Sequence, residues 1–93
     1  MKKLVRDKIP ELYDLKVYVA DDDEFWKRLL EKLQEEVDEF KSSEEKEELV
    51  DVLEVVYAIS ESKGVSIEEL EKLRKSKLEK KGGFKKKLIW EKK

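Results

Sequence analysis

The stretch Glu35-Glu-Val-Asp-Glu-Phe-Lys-Ser-Ser-Glu-Glu-Lys-Glu-Glu-Leu-Val-Asp-Val-Leu-Glu-Val-Val-Tyr-Ala-Ile59 holds the end of one amphipathic segment, a short polar break and the most apolar run of the chain. Upstream of the break, Phe25, Trp26, Leu29, Leu30, Leu33, Val37 and Phe40 recur at helical spacing and predict a helix from Glu24 to about Lys41. Downstream, Leu49, Val50, Val52, Leu53, Val55, Val56, Tyr57, Ala58 and Ile59 predict a second helix over about 43–63. It is apolar nearly all round, so it is expected to be the central, most buried helix. Its valines favour strand by propensity, but the length of the run and its flanking caps favour helix. Ser42 with Glu45 reads as the capping box that starts it. So short a break leaves the two helices antiparallel.

Working outward, Asp21-Asp22-Asp23 supplies an N-cap and favourable negative charge to the first of these helices. Before it, Lys16-Val-Tyr-Val-Ala20 has the β-branched and aromatic character of a short strand. The opening Lys3-Leu-Val-Arg-Asp-Lys-Ile-Pro-Glu11 reads as an extended lead into a helical turn, with Pro10 where a missing donor costs nothing. On the other side, Gly64 can end the apolar helix in the left-handed conformation. Ser66 with Glu69 then forms a capping box, and Val65 with Leu70 a hydrophobic staple, for a helix to about Lys81 supported by Glu68–Lys72 and Glu71–Lys75 pairs. Gly82-Gly83 stops it, and residues 84–90 read as a short extended tail. The expected architecture is all-α, an antiparallel helical bundle formed by residues 1–93 as a single domain.

Composition narrows the chemistry. With no Cys and no His, disulfides, thiol nucleophiles and imidazole catalysis are excluded, and any metal must be held by oxygen, which points to Mg²⁺, Mn²⁺ or Ca²⁺. No apolar run reaches membrane-spanning length and the start lacks a signal-like apolar segment, so a cytoplasmic protein with no membrane partner is expected. Hydrophobic residues make up 39% of the chain, enough for only a thin core in one copy, which favours a homo-oligomer. The net charge of −2 hides a segregation. Residues 35–54 carry ten acids against Lys41 and Lys46, a balance of −8, while residues 72–93 carry eleven bases against Glu79 and Glu91, a balance of +9. Such a chain can hold a cation at one patch and an anion at the other.

Glu36 and Glu39 share a helix face, and Glu48 and Asp51 repeat the spacing on the next helix. Antiparallel packing would face four carboxylates across the pair, where they repel unless a divalent cation joins them. Asp51 is the sharpest case, since it interrupts the apolar run and would be costly there unpaired. Glu54 continues the stripe through Glu47 and Asp51 and so could line the same site. The competing reading is a solvated acidic face, common in a chain so rich in Glu.

Glu35-Glu-Val-Asp-Glu39 followed by Glu48-Leu-Val-Asp51 resembles the EExxE…ExxD signature of the all-α nucleotide pyrophosphohydrolases, the MazG-like and phosphoribosyl-ATP pyrophosphohydrolase-like superfamily. The opening KLVRDKIPE and the closing KKGGF resemble a subgroup of small stand-alone members, so the likeness covers nearly the whole chain. The resemblance implies packed helices working as a homodimer or tetramer. It also implies hydrolysis of a nucleoside triphosphate between its α- and β-phosphates, with a house-cleaning role. It makes Glu36, Glu39, Glu48 and Asp51 ligands of Mg²⁺ (or Mn²⁺), with Glu35 or another nearby carboxylate a candidate to accept the proton of the attacking water. Three features depart from the family pattern: only eight residues separate Glu39 from Glu48, Ala58 stands where an Asn is usual, and Val55 where the phosphoribosyl-ATP enzymes carry His.

Phosphates need cations. Arg74, Lys77, Lys80 and Lys81, beside Gly82-Gly83, form one candidate group and Arg6 with Lys8 another, against the plain alternative of a soluble lysine-rich helix end. No aromatic-interleaved or groove-reading motif accompanies the basic tail, which argues against a nucleic-acid partner. Phe25, Trp26 and Phe40 are expected in the core, and Phe84 and Trp90 against the bundle or in an oligomer interface. Two readings compete with the enzyme: a catalytically silent nucleotide- or metal-binding helical oligomer, and a purely structural one.

Overall fold

A computed structural model describes residues 1–92 and contains four helices: α1 (Ile9–Tyr13), α2 (Asp22–Ser43), α3 (Lys46–Ser62) and α4 (Ile67–Lys81). The chain is all-helical among the described residues. Lys16–Ala20 is irregular rather than a strand, because no second segment pairs with it, and residues 84–90 likewise form no strand. No helix among the described residues is long and apolar enough to cross a membrane.

Helix α2 starts where the three aspartates place it: Asp21 caps it, its side chain accepting from the Glu24 backbone N–H at 2.8 Å. It ends at Glu44, a left-handed residue (φ 58°) whose backbone N–H donates to the Phe40 carbonyl. The expected Ser42–Glu45 box does not form. α2 runs through Ser42 instead, Glu45 becomes the N-cap of α3 without a side-chain cap, and the Ser43 hydroxyl accepts from the Glu45 N–H at 3.2 Å. The two-residue link makes α2 and α3 an antiparallel hairpin, which supplies most of the tertiary contact.

Leu29 on α2, 1% exposed, and Val55 on α3, 8% exposed, are the buried hydrophobic side chains of this hairpin. Yet α3 is not the central, all-round buried helix that its composition predicts. Leu49, Val50 and Leu53 stand exposed, since α2 covers one face, α4 touches a second lightly, and no other helix among the described residues covers the third. The accessible surface is 8993 Å², against ~5,700 Å² expected for a folded 11.1 kDa monomer. The radius of gyration, 16.5 Å, likewise exceeds the ~12 Å of a compact chain this long. One copy leaves much of its apolar surface exposed, including most of Phe84 and Trp90.

The α3–α4 corner is set by three residues. Buried Ser60 donates its hydroxyl to the Val65 carbonyl at 2.8 Å, Gly64 turns the chain at φ 77°, and the Ser66 hydroxyl accepts from the Glu69 N–H at 3.1 Å as half of the expected capping box. The expected Glu68–Lys72 and Glu71–Lys75 pairs are replaced by Glu71 with Arg74. A Cβ at Gly64 would meet nothing within 4 Å, so the objection to a larger residue is conformational rather than steric. Gly64→Ala is therefore expected to cost about 1 kcal/mol, the penalty of a left-handed L-residue, read as a lowered midpoint in urea with an unchanged slope.

Candidate metal centre

Helical geometry decides which acids meet. On α2, Glu36 falls on the same line as Leu29, Leu33 and Phe40, so the stripe that packs against α3 carries a carboxylate into the interface. On α3, Glu48 lies in line with Val52, Val55 and Ile59 and comes from the opposite wall. Glu39, one turn beyond Glu36, stands at the solvent rim. One carboxylate oxygen from each of Glu36, Glu39 and Glu48 lies within 4.8 Å of the others. Glu36 is only 7% exposed. One buried oxygen of Glu36 and one of Glu48, Oε2 in both, have no hydrogen-bond partner.

Electrostatics follow from that burial. Loss of water raises the Glu36 carboxyl above its ordinary value and the nearby Glu39 charge pushes it further up, while Lys32, at 3.3 Å, pulls the other way. Glu35 points elsewhere. Its carboxylate accepts from Lys32 at 2.8 Å and Lys3 at 3.3 Å, and these lysines, Lys32 foremost, hold it below the usual range. It belongs to the flank of the cluster rather than to its interior.

Asp51 differs most from the sequence expectation. It is not a stranded charge in an apolar run: its side chain is 38% exposed and accepts from Arg6 Nη2 at 2.7 Å. The guanidinium occupies the role assigned to a metal, and Asp51 is no member of the three-carboxylate group. The helical turn explains this, since Asp51 lies to one side of the line through Glu48, Val52 and Val55, where the N-terminal segment crosses. Arg6 is thereby brought to the acidic face. Lys8 is not; it precedes α1, exposed.

Glu54 is exposed on α3 and joins no ion pair among the described residues. Lys77, Lys80 and Lys81 are exposed on α4, and Arg74 is paired within that helix, its Nε 2.9 Å from Glu71. α4 contacts α3 only, so within one chain none of the four pairs with the acids of the cluster. Val55 is 8% exposed and belongs to the small core; Ala58 is half-buried one turn beyond it. Sequence reasoning missed the two lysines that flank the cluster. For Lys32 the signal was present, three and four residues before Glu35 and Glu36 on one face; for Lys3 there was none.

Comparison with protein-family models, with curated proteins and with solved structures finds no match to this chain.

Proposed function

We propose that this chain is a divalent-metal-dependent nucleotide pyrophosphohydrolase of the all-α kind, cytoplasmic and working as a homo-oligomer. The observation that carries the reading is the convergence of Glu36, Glu39 and Glu48 within 4.8 Å, with two buried carboxylate oxygens left without partners. Buried acceptors are almost always satisfied, and carboxylates so close repel, so a group that accepts both orphan oxygens and cancels the charge fits the site. A hard dication with oxygen ligands is that group, and Mg²⁺ (Mn²⁺ equally by donor type) suits an open set of few carboxylates.

When bound, such an ion neutralises phosphate charge and favours hydrolytic attack by water. The remaining duties fall on side chains of the chain itself. Glu36 and Glu48 offer oxygens from the two walls and Glu39 from the rim. Asp51 joins the set once Arg6 leaves it, and the released guanidinium is then free for a phosphate oxygen, which it recognises in bidentate fashion. Glu35, held down by two lysines, is better placed to orient Lys32 and Lys3 than to accept a proton. Water would add to phosphorus and break the α–β anhydride, giving monophosphate and pyrophosphate. Large exposed apolar surface supports the homo-oligomer, dimer or tetramer, and a partner copy is the natural source of the α4 cations Arg74, Lys77, Lys80 and Lys81.

The test is direct. Purified protein incubated with canonical and damaged nucleoside triphosphates and Mg²⁺ should release monophosphate and pyrophosphate in equal amounts. Orthophosphate release would refute the cleavage position. The Arg6–Asp51 pair favours one alternative, a silent metal- or nucleotide-binding oligomer, whose signature is Mg²⁺-induced thermal stabilisation without turnover.

A further inference from the structure

Away from the acidic cluster, a cleft of about 650 Å³ lies between the opening segment, residues 16–20 and the first turns of α2. That is within the ~300–1,000 Å³ usual for small-molecule sites. Its walls are apolar where Leu4, Val17 and Phe25 meet and cationic at the rim, where Lys2, Arg6 and Lys16 stand. Tyr18 is fixed inside this frame, since its hydroxyl donates to Glu24 Oε2 at 2.7 Å and Glu24 is in turn held by Arg28. One face of the ring carries the Lys2 ammonium, 5.3 Å from its centroid, so a base stacked on that face takes the place of this cation.

The cleft continues toward the acids. A second, smaller cavity of about 230 Å³ shares Lys2, Lys3, Leu4 and Arg28 with it and is also lined by Lys32 and Glu35. Lys32 pairs with Glu36 of the cluster, and Arg6, on the rim of the first cavity, pairs with Asp51. The cleft is thus linked to the three-carboxylate group through Lys32 and to the neighbouring Asp51 through Arg6.

The geometry points to this cleft as the seat of a nucleotide's heterocyclic base, with Tyr18 as its stacking platform and Lys3, Lys32 and Arg6 along the path of the phosphates. The assignment rests on the nucleotide reading above. A planar base gains dispersion and stacking against a fixed aromatic ring whatever its ring substituents, and the cationic line fixes which end of the ligand reaches the acids.

Amide-shift mapping by NMR on the full chain tests it, with AMP and inorganic pyrophosphate plus Mg²⁺ as probes. AMP should shift amides of residues 2–7 and 16–20, and pyrophosphate those of α2 and α3 around Glu36 and Glu48. Tyr18→Leu should weaken AMP about ten-fold and raise KM for a cleaved nucleotide by a similar factor at unchanged kcat. It should leave the pyrophosphate shifts in place, and Tyr18→Phe should restore AMP binding. AMP shifts confined to α2 and α3, no AMP binding, or an unchanged affinity in Tyr18→Leu would each overturn the assignment even if turnover is found. AMP in the cleft of a protein without turnover would instead defeat the enzymatic reading and keep the site.

Discussion

Glu36→Gln is expected to lower kcat/KM by on the order of 100-fold or more, since even outer partners of metal ligands are worth ~10–100-fold. The same change should raise the melting temperature of the metal-free protein, because it removes a charge that burial and Glu39 both penalise while retaining the side chain's shape. Each kcal/mol recovered corresponds to roughly 4–8 °C in a domain of this size. Loss of activity with gain of stability separates a metal-holding role from a structural one, which would lose both. The pH dependence has a defined sign. Burial lifts the folded carboxyl above the unfolded value of about 4.3, so as pH rises the unfolded chain ionises first. Stability from this group therefore falls across the window between the two values and stays low above it. A divalent ion displaces the proton, so Mg²⁺ should raise the melting temperature more at pH 7 than at pH 5 in the parent chain, and hardly at all in Glu36→Gln. Equal Mg²⁺ responses in both proteins would place the metal elsewhere.

The second large effect is on the core. Leu29→Ala should destabilise the protein by about 3 kcal/mol, the middle of the range for a fully buried leucine in a core that relaxes only partly. That corresponds to a fall of roughly 12–24 °C in melting temperature, most of the stability available to a thin-cored chain. Leu30→Ala, one residue on but exposed, serves as control and should change stability little. If the two variants melted alike, the α2–α3 register would be wrong, and with it the meeting of Glu36 and Glu48.

Much of the helical framework is legible in the sequence. The apolar spacing of Phe25 to Phe40 gave α2 within a few residues, and Ser66 with Glu69 marked the first turn of α4. Convergence of Glu36, Glu39 and Glu48 also followed from local pattern, because a two-residue link leaves a helix hairpin only one way to fold back. The error about Asp51 has a specific source. Interruption of an apolar run suggests burial, although position around the helix, rather than along it, decides which side chain faces the partner. Glu36 was the acid that the stripe carried inward.

Periodicity and capping are local properties, and they sufficed for the helices, their order and the sharing of faces among neighbouring acids. Tertiary structure alone decided which charges pair across the chain: Arg6 reaches Asp51 over 45 residues and Lys3 reaches Glu35 over 32, distances at which no residue spacing carries information. It also decided that α3 keeps an open apolar face, since burial depends on how many elements exist to cover a helix and not on how apolar the helix is. The cleft around Tyr18 arises in the same way, from two irregular segments laid across α2, where no repeating pattern exists to be read.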